Sequence, residues 1–319
     1  MVKTNFQFPQ SFFYEEEKCG YKISTQMKEI WAINLDLLNE FMAVCKKYDL
    51  QFWADAGTLL GCARHKGFIP WDDDIDLVMP RKDFDKFCKI AKKEFKYPYF
   101  FQTEKTDIGS LKWFAKICNS ETTSMFKNFM DREFTFNQGI AIDIMPLDNI
   151  PDDKTERIAF FKQLNELQDR ARKFANTTYR YVFHSDKSNK SIKVIKNVMK
   201  VFFRSILIIL RIPNPYHKKI SSMSQKYNHT RCKCFGTNIF KPEPESDKGC
   251  LEISDFEETV LLPFEMFELP CPKNYNNVLQ NYYGTWNEYV SGGSYHSNVF
   301  YDTNNSYKKY IHNNSTGGK

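Results

Sequence analysis

The chain has 319 residues, of which 42% are hydrophobic and 16% are aromatic. This composition excludes an intrinsically disordered protein, and the length allows a full hydrophobic core with up to two lobes. The formal net charge of +6 suits an anionic substrate or a membrane surface better than dedicated nucleic-acid binding, which needs a concentrated basic face.

The nine cysteines are scattered along the chain, and the start, MVKTNFQFPQ, lacks the apolar segment of a secretory signal. Both features predict a cytoplasmic protein with free thiols. Four residues have an H-x-x-C-x-C spacing followed by a distant cysteine, which is not a standard zinc motif, so their binding of a metal stays open. They are His229, Cys232, Cys234 and Cys250.

Residues 23–48 repeat apolar side chains with a helical period, which predicts an N-terminal helix. Residues 51–54 predict a short strand that enters a glycine turn, and residues 58–64 predict the short helix after it. A Gly-Thr turn that opens a helix can present the backbone N–H groups of Gly57 and Thr58 to a phosphate. The turn is therefore a candidate phosphate-binding element.

The stretch at residues 71–79, WDDDIDLVM, places four carboxylates within five residues and runs into an apolar strand. Side chains alternate faces along a strand, so Asp74 and Asp76 are predicted to share a face. Adjacent carboxylates repel each other, and a hard divalent cation removes that repulsion, so the stretch predicts a metal site. The alternative is a solvated acidic loop. Arg64 and Lys66 lie between the glycine turn and these acids, and cations, amides and metal are what phosphoryl transfer needs.

After the acidic strand, residues 81–95 predict an amphipathic helix, and two strands are predicted between residues 99 and 118. The next apolar run, residues 139–148, predicts a core strand that carries Asp143 between two isoleucines. An unpaired buried charge is costly. Asp143 is therefore either a satisfied structural residue or a third metal ligand or base beside the acidic pair.

The second half of the chain is predicted to be mainly helical, over residues 154–173 and 191–210, with polar loops at 181–190 and 241–249. The apolar run at 201–212 is too short and too charged to span a bilayer. It predicts a basic amphipathic helix that either packs on the catalytic lobe or rests on a membrane surface. The basic residues around it are Lys193, Lys196, Lys200, Arg204 and Arg211.

Three segments in order resemble the LicD family, which also includes fukutin-related proteins. They are ADAGTLLGCARHKGFIPWDDDIDLVMPR at 54–81, GIAIDIMPLDNIPDD at 139–153 and LPCPKNYNNVLQNYYGTW at 269–286. The resemblance runs from about residue 52 to residue 286 and is weakest between 154 and 249.

The resemblance implies an α+β fold, with a nucleotidyltransferase-like core around a mixed sheet and a divergent helical region on the acceptor side. The chain is then expected to divide into an N-terminal helical segment (1–50), the catalytic core (51–150), the acceptor region (151–250), a C-terminal segment completing the domain (251–300) and a tail (301–319).

Family members transfer a phospho-alcohol from a CDP-alcohol to a sugar hydroxyl and release CMP. The resemblance therefore implies a transferase that uses Mg²⁺ or Mn²⁺, with CDP-choline as the expected donor. The expected acceptor is a cell-surface glycan, such as lipopolysaccharide or teichoic acid, or its lipid-linked precursor. Such an enzyme would act in the cytoplasm or at the inner face of the membrane, with peripheral contact through the 193–211 helix.

Carried over by position, the resemblance implies that Asp74, Asp76 and Asp143 bind the metal and that Asp143 takes the proton of the attacking hydroxyl. The residues expected to bind substrate are Gly57, Thr58, Arg64, Lys66 and Trp71. Asp72 and Asp73 are expected to orient the ligands or cap the turn, Asp55 to support them, and His65 to lie at the surface. The aromatic candidates for a choline ammonium, each otherwise a core residue, are Trp71, Trp113, Tyr282, Tyr283 and Trp286.

Two alternatives stay open at this point. A nucleotidyltransferase that adds NMP to a small molecule or protein would share the turn and the acids, and would release pyrophosphate instead of CMP. A non-catalytic glycan- or nucleotide-binding relative is disfavoured because all three acids are present. A polymerase-like enzyme is disfavoured because the chain lacks a basic stripe.

Overall fold

The computed structural model describes residues 2–127, 130, 136–178, 190–210, 212–238, 247–289 and 298–312. Within them the chain is a mixed α and β protein, which confirms the predicted α+β class. The strands are β1 Glu16–Lys18, β2 Tyr21–Ile23, β3 Trp53–Ala54, β4 Asp76–Pro80, β5 Tyr99–Gln102, β6 Ala115–Asn119, β7 Thr123–Phe126, β8 Ala141–Ile150, β9 Cys234–Gly236, β10 Leu251–Glu252, β11 Thr259–Phe264, β12 Phe267–Pro272 and β13 Val299–Asp302. The helices are α1 Thr25–Tyr48, α2 Ala56–Leu60, α3 Arg81–Glu94, α4 Lys154–Thr178, α5 Lys190–Ile209, α6 Pro215–Ser224, α7 Tyr275–Tyr283 and α8 Lys308–His312.

The main sheet is built around the long strand β8. On one side β8 runs parallel to β4, which pairs antiparallel with β3. On the other side β6 pairs with the first half of β8 and β9 with the second half, both antiparallel. Strands β5 and β10 extend this mixed sheet from β6 and β9.

Apolar periodicity explains why the first two long helices cover this sheet. Helix α1 begins where the Ser24 side chain accepts a hydrogen bond from the Met27 amide, and it buries a stripe that includes Phe41. Helix α3 buries Phe84 and Phe87 on one face. The Phe41 and Phe87 rings meet edge to face at 5.3 Å. One large core therefore joins α1, α3 and the sheet.

A second, smaller core lies beyond the end of β8. Ile150, Phe160, Phe161, Leu164 and Ile220 pack there, which fastens α4 and α6 to the sheet. Among the helices that the structure describes, none is both long and apolar enough to cross a membrane. The loops predicted at 181–190 and 241–249 fall mostly outside the described residues.

The expectation of a weak tail over residues 301–319 is wrong for its first part. Strand β13 pairs antiparallel with β7, and the Phe300 ring packs on Tyr310 of α8 at 4.9 Å. Cross-strand hydrogen bonds and ring packing, which composition alone does not reveal, order this segment. Residues 313–319 lie outside the described range.

Candidate active site

The sheet brings two of the predicted acids side by side. Asp76 begins β4 and is the direct register partner of Asp143 on the parallel strand β8. Asp74 lies two residues earlier on the same face, because Ile75 and Leu77 between and after the acids are fully buried in the core. The structure therefore confirms the predicted alternation and joins segments nearly seventy residues apart at one edge.

The raised pKa of Asp76 shows that the other acids lie close to it. Burial raises the pKa of Asp76 well above its ordinary value, and the charges of Asp74 and Asp143 raise it further, followed by Asp55 and Asp72. A carboxyl group that titrates high because of neighbouring carboxylates is in a site that favours a cation.

The carboxylates of Asp72, Asp73 and Asp74 also lie together, with one oxygen from each within 4.8 Å of the others. Asp73 accepts a hydrogen bond from the Tyr301 hydroxyl at 2.9 Å, and the Asn34 amide holds its backbone carbonyl at 2.8 Å. Asp72 and Asp73 are therefore close enough to Asp74 to share an ion with it, and the prediction that they orient the ligands or cap the turn stays a prediction. The acids form one continuous patch of hard oxygen donors, of the kind that Mg²⁺ and Mn²⁺ prefer.

The glycine turn packs directly against this patch. A Cβ atom added to Gly57 would lie 2.6 Å from Oδ2 of Asp72, so only glycine allows the carboxylate to approach so closely. The Thr58 hydroxyl accepts a hydrogen bond from the Asp76 amide at 2.9 Å, which ties the start of α2 to the start of β4. The structure thus brings Gly57 and Thr58 to the acids, as predicted.

Asp55 supports the turn from below. Its side chain is buried and accepts a hydrogen bond from the Tyr282 hydroxyl at 3.1 Å, while its amide donates to the Asp76 carbonyl at 3.0 Å. Burial raises the pKa of Asp55 to about 6, and the hydrogen bond from Tyr282 opposes that rise. Helix α7, from the third segment of the resemblance, therefore buttresses the turn.

Lys116 is a site residue that the sequence analysis missed. It faces Asp143 in the register of β6 and β8, and its ammonium lies 2.7 Å from Oδ1 of Asp143. Burial disfavours the charge on Lys116, but the attraction of Asp143 outweighs it, so the pKa of the ammonium is raised. The available signal was a lone lysine inside the apolar run Ala115–Asn119, the same signal that singled out Asp143.

A cavity of about 380 Å³ opens beside Asp74, Lys116 and Asp143. The rest of its wall includes residues of β5, β7, the segment before β8, and β13. Aromatic and amide side chains share that wall, namely Gln102, Phe126, Phe136, Asn137, Gln138 and Tyr301. The cavity is large enough for a small polar group, and its charged end is the acidic patch.

Three predicted substrate residues point elsewhere. Arg64 donates to the carbonyls of Trp286 and Glu288 at 2.9 and 3.0 Å, so much of its guanidinium anchors the loop after α7. Lys66 is exposed at a left-handed turn. Trp71 is half-buried with its ring 6.0 Å from that of Tyr21. None of these three lines the cavity beside Asp143.

His65 is buried rather than at the surface, which corrects the expectation for this residue. Its Nε2 accepts a hydrogen bond from Nε of Arg64 at 2.9 Å. Burial, followed by the charges of Arg64 and Lys18, lowers the pKa of His65 to about 4. The imidazole is therefore neutral near pH 7, and its role is to position Arg64.

The aromatic residues predicted to bind a choline ammonium lie in different parts of the fold. Tyr283 lies near the acids: burial raises its pKa, and the charges of Asp55 and Asp76 raise it further. Tyr282 is buried on Asp55, Trp286 packs edge-on to Tyr275, and Trp113 lines a separate pocket beside α6.

The cysteine–histidine group, whose metal binding the sequence left open, is not gathered closely enough to share an ion in the part of the chain that the structure describes. There, the acidic trio at residues 72–74 is the one set of three or more His, Cys, Asp or Glu side chains close enough to share an ion. Cys234 and Cys250 instead interact with each other across β9 and β10.

The family model for the LicD/FKTN/FKRP nucleotidyltransferase domain matches residues 49–164, which contain the turn, both acidic strands and Lys116. The chain is also 25% identical over 265 residues to the lipopolysaccharide cholinephosphotransferase LicD of Haemophilus influenzae, an alignment that covers 82% of this chain and 91% of the relative. Shorter matches of 37% and 34% identity, covering 22% of this chain, are to uncharacterized proteins of Rickettsia typhi and Rickettsia prowazekii, of which they cover 22% and 25%. The matched segment coincides with the acidic edge of the sheet, and the longer alignment extends over most of the fold, so residues 49–164 are similar to the LicD-type nucleotidyltransferase domain and the chain as a whole is similar to a LicD protein.

Proposed function

We propose that this protein transfers phosphocholine from CDP-choline to a hydroxyl of a lipopolysaccharide-type glycan or its lipid-linked precursor, with CMP as the leaving product. The observation that carries the proposal is the meeting of Asp74, Asp76 and Asp143 at one end of the sheet, beside a cavity that Asp74 and Asp143 line, with Asp72 packed over Gly57 of the glycine turn. The name of the Haemophilus relative supports the choice of phosphocholine and of lipopolysaccharide.

The donor set fits a hard divalent cation. The carboxylates of Asp72, Asp73 and Asp74 are close enough to share one ion, and Asp76 and Asp143, which adjoin Asp74, would complete the coordination of Mg²⁺ or Mn²⁺. When bound, such an ion neutralises charge on the diphosphate and on the departing CMP. The raised pKa of Asp76 is consistent with this assignment, because a carboxyl group destabilised by neighbouring acids gains most from a shared cation.

The protein's own groups supply the remaining steps of in-line transfer. The amides of Gly57 and Thr58 would orient the diphosphate at the start of α2. Lys116 would offset negative charge as the phosphate is attacked. Asp143 contacts Lys116 and also lines the cavity, so it would accept the proton of the attacking hydroxyl. These groups sit on strands and a short turn that the core holds rigidly, so little reorganisation is required.

We also propose a cytoplasmic location. The described cysteines are all unpaired, which suits a reducing compartment.

The direct test is to incubate the full chain with CDP-choline, CDP-ethanolamine, CDP-ribitol or CDP-glycerol, an acceptor glycan and Mg²⁺ or Mn²⁺, and to measure CMP. CMP and a phosphocholine-bearing glycan should form with CDP-choline and disappear with EDTA. Asp74→Asn and Asp76→Asn should reduce turnover to background while the proteins stay folded. Asp169→Asn, which alters an exposed surface ion pair, is the matched control.

The outcomes also separate the alternatives. Release of pyrophosphate from a nucleoside triphosphate, without CMP from any CDP-alcohol, would favour the nucleotidyltransferase that adds NMP. Nucleotide binding without turnover in either assay would favour a binding protein. Near-normal activity of either Asp variant with Mg²⁺ present would overturn the assignment of the acidic pair.

A further inference from the structure

Helix α5 exposes an unusual number of large apolar side chains. Phe202 and Phe203 are each 62% exposed and Ile209 is 77% exposed. The other exposed apolar residues of this segment are Ile195, Val198, Met199, Leu210 and Ile212. Up to Leu210 their spacing of mostly three and four residues puts them along one side of the helical segment, and Ile212 lies beyond it. The exposed apolar residues from 195 to 210 are called the stripe below.

The stripe belongs to neither hydrophobic core. Helix α5 contacts α4, yet among the side chains that the structure describes, neither core cluster contains a residue of α5. The interpretation that this helix packs its aromatics on the catalytic lobe is therefore wrong for Phe202 and Phe203. A contiguous exposed apolar surface of this size on a folded protein indicates a binding surface.

The charge of the same segment indicates what kind of surface it binds. Residues 190–212 contain no aspartate or glutamate. Four helix positions spaced by three or four residues, 193, 196, 200 and 204, carry Lys, Lys, Lys and Arg, which puts them along the side next to the stripe. An apolar side bordered by cations is the pattern of a helix that lies in the interface of an anionic bilayer.

We propose that α5 docks this protein onto an anionic phospholipid surface, with the stripe in the head-group and acyl boundary and the basic positions facing lipid phosphates. A bilayer satisfies both properties of the segment, because apolar contact and phosphate attraction act together at that depth. The helix lies on the membrane and does not cross it.

A second copy of the chain fits the segment less well. Pairing two α5 helices through their stripes would bring two sets of basic positions together, and residues 190–212 offer no acid to offset them. Anionic lipid supplies the opposite charge that a second copy lacks.

The test is co-sedimentation of the full chain with vesicles of phosphatidylcholine alone or with about a third phosphatidylglycerol, at low and high salt. Binding to the anionic vesicles should exceed binding to the neutral ones and weaken as salt screens the charges. Phe202→Ser with Phe203→Ser should weaken binding about tenfold or more, since two large apolar groups leave the interface. Lys196→Glu with Lys200→Glu should abolish the preference for anionic vesicles.

Two control variants keep the outcome specific. Leu261→Ser removes an apolar side chain of similar exposure on β11, and Lys218→Glu with Lys219→Glu reverses two exposed lysines on α6. Both should bind like the unaltered protein. Equal binding by the Phe202/Phe203 variant, or no binding to anionic vesicles at low salt, would overturn the proposal. A concentration-dependent dimer that the same variant abolishes would assign the stripe to a second copy instead. None of these readouts uses turnover, so the result is independent of the proposed reaction.

Discussion

Lys116 and Asp143 are the central pair of the site at the scale of single residues. Each is a charge flanked by apolar residues in its strand, and each is tolerated because the other lies 2.7 Å away across the sheet. A charged residue within an apolar strand therefore predicts a partner of opposite charge, and here that partner lies within a second apolar strand.

We expect Lys116→Gln to lower the rate of CMP release about 10- to 100-fold, because Asp143 loses the group that holds its carboxylate in place. Lys116→Arg should restore part of the activity, since it keeps the charge next to Asp143. Thermal unfolding of both variants separates a local effect from a loss of the fold. Full activity of Lys116→Gln would show that Lys116 only satisfies Asp143.

The acidic patch also predicts how stability depends on pH in EDTA. The pKa of Asp76 is raised in the fold, so between the ordinary pKa of an unfolded aspartate, about 3.9, and the folded pKa, the folded protein holds a proton that the unfolded chain releases. Ionisation of Asp76 therefore lowers the free energy of unfolding as pH rises through this window.

Asp76→Asn should accordingly be more stable than the unaltered protein in EDTA, by an amount near zero at pH 4 that grows towards pH 7. Denaturant unfolding of both proteins across this range measures it. Both proteins must be measured because His65 and His217, whose pKa values are lowered, give an opposite slope that is common to both proteins. A difference that shrinks with rising pH would contradict the assignment.

At the scale of elements, the end of β8 is fastened by a buried ion pair. Arg81, the first residue of α3, donates from Nε to Oδ1 of Asp148 at 2.7 Å and pairs through its second nitrogen with the other oxygen. Asn228, in the segment after α6, donates to the same Oδ1 at 2.6 Å. Asp148 is 3% exposed, so it depends on these donors. The pair links β4, β8 and the second core.

Arg81→Met should lower the free energy of unfolding by roughly 3–5 kcal/mol, because it leaves a buried carboxylate with only the Asn228 amide. Arg172→Met is the matched control, since its ion pair with Asp169 is exposed and should be worth at most about 1 kcal/mol. Urea unfolding of both variants measures the contrast. A similar loss of unfolding free energy in the two variants would mean that the ion pair of Arg81 and Asp148 does not stabilise the end of β8.

At the scale of the whole molecule, the C-terminal strand closes the site. Strand β13 pairs with β7, Tyr301 reaches Asp73, and the Tyr301 carbonyl accepts from the Gln26 side chain of α1. The candidate site is thus assembled from the start, the middle and the end of the chain, and β13 packs against it.

Tyr301→Phe should cost about 1.5–3 kcal/mol of stability, as for other hydrogen bonds to charged groups, and should lower turnover because Asp73 loses its donor. Tyr310→Phe is the control in the same segment, since it removes a hydroxyl that donates to Asp302 and not to the acidic patch. Its turnover should be unchanged. Denaturant unfolding and CMP release measure both, and equal turnover in the two variants would show that β13 does not support the site.

The sequence by itself predicted the longer elements and singled out the acids. Alternating burial predicted that Asp74 and Asp76 share a face, and apolar period predicted α1, α3 and α4, because these depend on neighbours within a few residues. The amphipathic pattern of residues 193–211 predicted a basic helix but did not decide whether it packs on the rest of the protein or rests on a membrane surface.

Only the tertiary structure decided which residues meet. The pairing of Lys116 with Asp143, the reach of Tyr301 to Asp73, the burial of His65 and the use of Arg64 to hold the loop after α7 depend on strand register and on contacts between distant segments. The exposure of the α5 stripe is of the same kind, since periodicity identifies an apolar side but not what covers it. Local patterns set conformation through short-range sterics and burial, whereas long-range pairing is a property of the packed core.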